Sequence, residues 1–267
     1  MSAHSRHMNV LGSVVGAAAL IIQGIAYSQT DTLDIAVEDA ASPWSQADGT
    51  GYANDVVVSA FKAGGVAVRF LVMPYARCKK MVIRGEVAAA FSMSPSPEFD
   101  GLVTFSVKPL FSCNSDFFCR VNSLMEVRRK EDLPRHTVIG TVIGYEYPSV
   151  FEELRHSGVI VPEESPSEEL NLRKLVLGRI DFALLNCNAL KSPELVAEWA
   201  GVQGKVRFAF RCGILNSYIG FSNKHPKGMR ALRKFNSGFT RISSNGVLRS
   251  IERRWSKLLK AHKIHVR

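Results

Sequence analysis

Two closely spaced hydroxyls are the groups in this sequence best placed to meet a ligand. Ser92 and Ser94 fall in the stretch Pro74 to Asp100, PYARCKKMVIRGEVAAAFSMSPSPEFD. The stretch reads as a helix, a tight turn, a short apolar strand and a Ser/Pro-rich loop. That order sets both hydroxyls at the carboxyl end of a buried strand, where open α/β sheets bind their ligands. The rest of the chain offers little covalent chemistry. It holds no C-x-x-C, no HExxH and no His/Cys cluster at metal-ligand spacing, so neither a metal nor a cofactor is expected. No nucleophile is legible beside a base and an orienting third group. Reversible recognition is therefore favoured over catalysis.

The elements that must position these hydroxyls follow a regular order. Leu33 to Val37 predicts a strand and Tyr52 to Phe61 a helix with Val56, Val57, Ala60 and Phe61 on its apolar face. Val66 to Val72 predicts a strand. Pro74 opens the next helix, which Arg84-Gly85 closes, and Val87 to Phe91 predicts a buried strand. This βαβαβ order implies a mostly parallel sheet covered by helices. After extended segments at Leu102 to Val107 and Asp116 to Val121, a second α/β set starts at Thr137 to Ile143. It continues through a helix from about Pro148 to His156, a strand at Val159 to Val161, a helix from Ser167 to Gly178 and a strand at Asp181 to Leu185. A helix over Ser192 to Trp199, extended chain from Val206 to Phe221 and two terminal helices from Pro226 and Ser244 complete it. Two α/β sets with terminal helices left over predict two lobes, with one crossover strand near Asp116 to Val121 and another near Arg211 to Tyr218.

The chain ends bound where the protein works. Residues 1–28 read as an export signal: Arg6 in a polar start, the apolar run Val10 to Ile22, and Ala26-Tyr27-Ser28 before a cleavage point at Gln29. That run is short of the ~20 residues a membrane span needs. A periplasmic protein is expected, processed after Ser28. The formal net charge is +10. With no basic stripe interleaved with aromatic stacking platforms, nucleic acid is not an expected partner. Arg253 to Lys263 reads as a solvated helix face. The five cysteines, Cys78, Cys113, Cys119, Cys187 and Cys212, leave at least one thiol free unless it pairs with another molecule.

Six segments in order give the chain a likeness. LDIAVEDAASPW, DGTGYANDVV, PYAR…RGEVAAAFSMSPSPE, VIGTVIGYEYP, LNLRKLVLGRIDFALLN and FNSGFTRISSNGVLRSIERRW resemble segments of the bacterial extracellular solute-binding proteins of family 3. The resemblance implies a type II periplasmic-binding-protein clamshell: two mixed sheets flanked by helices, joined by two crossover strands. It also implies residues 29–115 plus 217–267 as lobe one and 116–216 as lobe two. The expected function is that of a monomeric receptor that closes on a small-molecule solute and docks on the membrane permease of an ABC-type importer. A dehydratase-like enzyme using Asp39 or Glu146 as acid or base, or a ligand-presenting sensor, are the alternatives on the same scaffold.

The resemblance also points to a ligand set, and the chain departs from it at three places. Where an arginine usually holds a ligand carboxylate, five residues after the second lip hydroxyl, stands Phe99. Where a carboxylate usually holds the ligand ammonium, after GRIDFALL, stands Asn186. Where small hydroxyls usually help bind the carboxylate stands Gly144-Tyr145-Glu146-Tyr147, and Glu146 repels an anion there. The set implied is Asp39, Trp44, Tyr75, Ser92, Ser94 and Asn186, with Phe99, Tyr145 and Glu146 as replacements. Tyr52 is placed at the mouth. Arg77 either enters the cleft, making an anion possible, or faces solvent or Glu86. Aromatics beside carboxylates suit a cation, or a neutral polar solute, better than an ordinary α-amino acid. Cys119 and Cys212, on the two crossover strands, form a disulfide if their Cα atoms lie within ~7 Å, with Cys113 as the competing partner for Cys212.

Overall fold

The computed structural model describes Met1 and residues 32–261. The expected export signal lies outside the described residues. The first half builds the βαβαβ unit: β1 (Leu33–Glu38), α1 (Tyr52–Ala63), β4 (Val68–Met73), α2 (Tyr75–Arg84) and β5 (Ala89–Met93), with a short hairpin of β2 (Ala40–Ala41) and β3 (Ser45–Gln46) after β1. β1 runs parallel between β4 and β5. Ile35, Ala36, Val37 and Glu38 are all buried, as expected of a central parallel strand covered on both faces. α2 starts after Pro74, buries Tyr75, Cys78 and Val82 at i, i+3 and i+7, and stops at Gly85, whose left-handed φ of 79° caps its last carbonyls.

The second set is β8 (Thr137–Val142), α3 (Ser149–His156), β9 (Ile160–Ser165), α4 (Glu168–Val176), β10 (Phe182–Cys187) and α5 (Pro193–Ala200). β8 lies parallel between β9 and β10. Between the sets run β7 (Phe111–Arg120) and the 17-residue β11 (Val206–Ser222), antiparallel to each other. β11 pairs β7 from Val206 to Ser217, then β5 from Tyr218 to Phe221, and β6 (Val103–Phe105) alongside. The hydrogen-bonded path β4-β1-β5-β11-β7-β10-β8-β9 is therefore continuous through both sets. The extended segments predicted near Asp116 and Arg211 are parts of these two strands; β11 begins at Val206 as predicted, whereas β7 begins at Phe111, earlier than its sequence signal, because Ser112, Asn114 and Ser115 are polar yet laddered.

One core gathers Ile35, Val57, Phe61, Phe91 and Phe221, with Phe235, Phe239, Ile251 and Trp255 from α6 (Gly228–Ser244) and α7 (Val247–Lys260). The terminal helices thus return to cover the first set. α6 comes so close to α1 that a Cβ on Gly238 would sit 1.8 Å from the Ala60 carbonyl oxygen. α7 buries Ile251, Trp255 and Leu259 and exposes Arg253, Arg254, Lys257 and Lys260. Separate cores around Phe117, Ile139, Phe151, Phe182 and Phe210, and around Leu172, Leu175, Leu185 and Val196, stabilise the second set. Among the described residues no helix is long and apolar enough to cross a membrane.

The Cys119–Cys212 disulfide, conditional on reach, does not form. All five cysteines are free thiols. Cys119 pairs with Arg207 in the β7–β11 ladder, five positions along β11 from Cys212. At ~3.3 Å per residue that separation is about 16 Å, far beyond disulfide reach. Cys113, facing Leu215, is three positions from Cys212 and likewise unbonded.

Candidate functional site

The carboxyl ends of four parallel strands meet at one cavity. β1 brings Glu38, β5 leads to Ser92 and Ser94, β8 leads to Tyr145 and Glu146, and β10 brings Asn186. Phe111 and Cys113 on β7 and Leu215 and Ser217 on β11 line it between the two sets. Trp44, stacked on Phe111 with ring centroids 4.1 Å apart, forms one wall. The cavity measures ≈ 40 Å³, room for about three waters at ~10–15 Å³ each. In this arrangement the cavity is small, bounded on both sides by the two sets of strands.

Both serine hydroxyls are buried without a hydrogen-bond partner. Ser92 is the extra residue of a β-bulge: Tyr218 faces Met93, and Ile219 faces Phe91. Its φ of 64° is left-handed, rare for a residue with a Cβ. Bulges re-aim side chains next to functional sites, and strain of order 1–3 kcal/mol tends to collect there. A strained residue that presents an unsatisfied hydroxyl to a cavity is a local cost to folding, which a bound hydrogen-bonding group offsets.

Three buried carboxyl groups surround the cavity, and two have a lysine. Glu168, the first residue of α4, pairs with Lys191 and accepts the Asn186 backbone N–H at 2.7 Å. Burial disfavours the Lys191 ammonium, but the Glu168 carboxylate against it holds its pKa above the ordinary lysine range; burial likewise raises the Glu168 carboxyl, and Lys191 opposes that rise. Glu146 accepts the Tyr75 hydroxyl at 2.6 Å and the Ser94 N–H at 3.0 Å on Oε2, and lies 3.4 Å from Lys79 Nζ through Oε1. Burial raises its pKa, and Lys79 and Tyr75 work against that rise. Glu38 accepts a hydroxyl, that of Tyr145 at 2.7 Å, and has no ion pair among the described residues. Burial pushes its carboxyl up to about 8, with the Tyr145 hydrogen bond opposing. Asn186 accepts the Ser115 hydroxyl at 2.5 Å through Oδ1.

Of the residues named from the sequence, Trp44, Tyr75, Ser92, Ser94, Tyr145, Glu146 and Asn186 are brought together here. Asp39, Arg77 and Phe99 are not. Asp39 lies one residue beyond the strand end, and Glu38 takes the inward position. Arg77 is exposed on α2, whose inward face is Tyr75, Cys78 and Val82; Glu86 pairs with Arg84 instead. Phe99 ends a 3-10 turn over Pro97–Phe99 that folds its ring into the core against Phe105. Tyr52 stands behind Trp44, edge-on at 5.8 Å. Sequence reasoning missed Glu38, Glu168 and Lys191. Glu38 reads as the start of a loop, and Glu168 as one of a solvated Glu-Glu pair. A signal was present for Glu38, the residue that directly follows the buried apolar run Ile35-Ala36-Val37 of a central strand.

No protein-family model and no curated protein matches the chain. Solved structures match it closely in shape. The GluR0 ligand-binding core from Nostoc punctiforme in complex with L-glutamate superposes with a TM-score of 0.68 at 20% identity, over 84% of this chain and 98% of that one. An ancestral arginine-binding protein bound to arginine gives 0.69 at 17%, over 84% and 97%. The substrate-binding protein of an amino acid ABC transporter gives 0.67 at 14%, over 85% and 99%. With the strand order above, these place the architecture: the chain has the two-lobed type II fold of periplasmic binding proteins.

Proposed function

We propose that the protein is the solute-binding receptor of an ABC-type importer. It takes a small polar solute carrying a positive group between lobe one (29–115 plus 217–267) and lobe two (116–216). Glu38 carries this reading. It is a buried carboxyl in the cavity with no cationic partner among the described residues, beside the unpartnered Ser92 and Ser94 hydroxyls and the Trp44 and Tyr75 rings. A ligand ammonium supplies the missing charge, the ring faces add cation–π attraction and the hydroxyls fix orientation. The similar proteins named above are described with L-glutamate and arginine, or as part of an amino acid transporter. For this chain we propose a solute without an α-carboxylate, because the Ser94 N–H and the Lys79 ammonium already serve Glu146. The receptor acts in the periplasm after removal of residues 1–28, and delivers the solute to a membrane permease.

The test is a thermal-shift screen of amino acids, polyamines, quaternary amines and organic acids, followed by calorimetry of the hits. Stabilisation by an amine or quaternary ammonium is expected. For a quaternary ammonium, whose charge does not titrate, affinity should rise up to about tenfold per pH unit below pH 8 and level off above, as Glu38 ionises. Strong stabilisation by an ordinary α-amino acid, with none by amines, overturns the substrate class.

A further inference from the structure

We infer that lobe one carries an anion cradle, made by the Tyr75 hydroxyl, the Ser94 backbone N–H and the Lys79 ammonium, and that Glu146 of lobe two occupies it as an internal ligand that ties the two lobes together. Resting on the cleft reading above, this deepens it by naming a contact that holds the two lobes against each other.

Three donors of different kinds, from α2 and from the loop after β5, converge on one carboxylate that arrives from the turn after β8. Each is well built for an anion. Tyr75 and Ser94 are 3% exposed, and the Lys79 side chain is held at 13%. Lys79 also bonds the Gly144 carbonyl at 2.7 Å and Glu98 at 3.0 Å, and its Nζ sits 5.9 Å from the Tyr75 ring centre and 5.8 Å from that of Phe99. Every one of the three polar neighbours of the Glu146 carboxyl is a donor. The Ser94 N–H and the Lys79 ammonium can only donate and so favour the carboxylate against the burial that raises its pKa, and charge-assisted hydrogen bonds of this kind are the strong ones. The neighbouring residues fix the approach. The Tyr145 ring packs edge-on against Tyr75 at 5.2 Å, and Tyr147 packs against Phe151 on the other side of the cleft. Gly144, at φ 80°, lies so near α2 that a Cβ there would be 3.1 Å from the Ala76 Cβ.

An internal ligand can be replaced by an external one of the same chemistry. Truncation at Glu146 should leave a cradle that takes a free carboxylate. The experiment compares wild type, Glu146→Ala and Lys79→Ala/Glu146→Ala at pH 7.5, titrated with sodium acetate against sodium chloride at matched ionic strength. Thermal unfolding and acetate NMR line width are the readouts. Acetate should raise the melting temperature of Glu146→Ala saturably in the millimolar range and broaden the acetate signal. Wild type should respond no more to acetate than to chloride, and the double variant should bind acetate at least fivefold more weakly. Equal responses in wild type and Glu146→Ala, or a folded Glu146→Ala indifferent to acetate, overturn the inference. If Glu146→Ala does not fold, Glu146→Gln decides. It keeps the shape but loses the charge, and its radius of gyration by small-angle scattering should exceed that of wild type; an unchanged radius overturns the inference. None of these readouts uses the transported solute, so a failed solute screen and a failed cradle remain distinguishable.

Discussion

Glu38 is a buried carboxyl whose ionisation bears directly on stability near neutral pH. Its carboxyl titrates at about 8 in the folded state because burial removes it from water, against an ordinary value of 4.5. Below about pH 4.5 it is protonated in both folded and unfolded chains, and its contribution to stability is complete. As pH rises from there toward 8 the unfolded chain ionises first, so that contribution is lost across this window. Glu38→Gln should remove much of the decline and raise stability at pH 8 by on the order of 3 kcal/mol. Thermal unfolding at pH 5, 6, 7 and 8 checks this; equal slopes in the two proteins would refute it. At this scale the sequence is only half legible. Ser92, Ser94 and Glu146 could be placed because a strand end and a turn bring them to a cleft by local geometry. Glu168 and Lys191 could not, since a buried ion pair between residues 23 apart looks in sequence like two solvated charges. Phe99 shows the opposite limit. Counting from a lip hydroxyl finds the position, but a 3-10 turn decides where the side chain goes.

β5 and its bulge show how an element turns sequence into a site. The strand Ala89–Met93 is fixed by its apolar residues, and its existence is plain from AAAFSM. The bulge at Ser92 is not, because nothing in the residue types announces a serine with φ 64°. It follows from β11, which must change partner from β7 to β5 at that level and shifts register in doing so. Replacing Ser92 by glycine tests whether function is held there at a cost in stability. Glycine adopts this backbone without strain, so Ser92→Gly should stabilise the protein by about 1 kcal/mol and weaken solute binding severalfold. Denaturant unfolding and calorimetry read the two effects; a loss of stability together with unchanged affinity would place no role on the bulge. The same contrast holds for helices. Pro74 and Gly85 bracket α2 visibly, whereas which α2 side chains meet Glu146 depends on the second set of strands.

For the whole molecule, the proposed closure would be limited by how near the Gly144 turn can come to α2. Any side chain at Gly144 meets Ala76 and must hold a left-handed φ. Gly144→Ala should therefore widen the cleft, visible as a larger radius of gyration in solute-free protein and as a smaller difference between solute-free and solute-bound scattering. Identical scattering from wild type and variant would show that the turn does not limit closure. The two-lobed plan was legible because the α/β order appears twice and two helices are left over to cover the first set. Its continuity was not, since a single hydrogen-bonded path through β7 and β11 depends on long-range pairing of polar residues such as Asn114 with Ile214 and Asn216 with Ser112. The Trp44–Phe111 stack gives this closure an optical consequence. Of the three tryptophans, Trp44 lines the cavity, while Trp255 lies in the core under α7 and Trp199 packs beside the α4–α5 core. The chain thus carries a native fluorophore in the cavity wall, and under the proposed function its emission becomes a label-free clock for opening and closing.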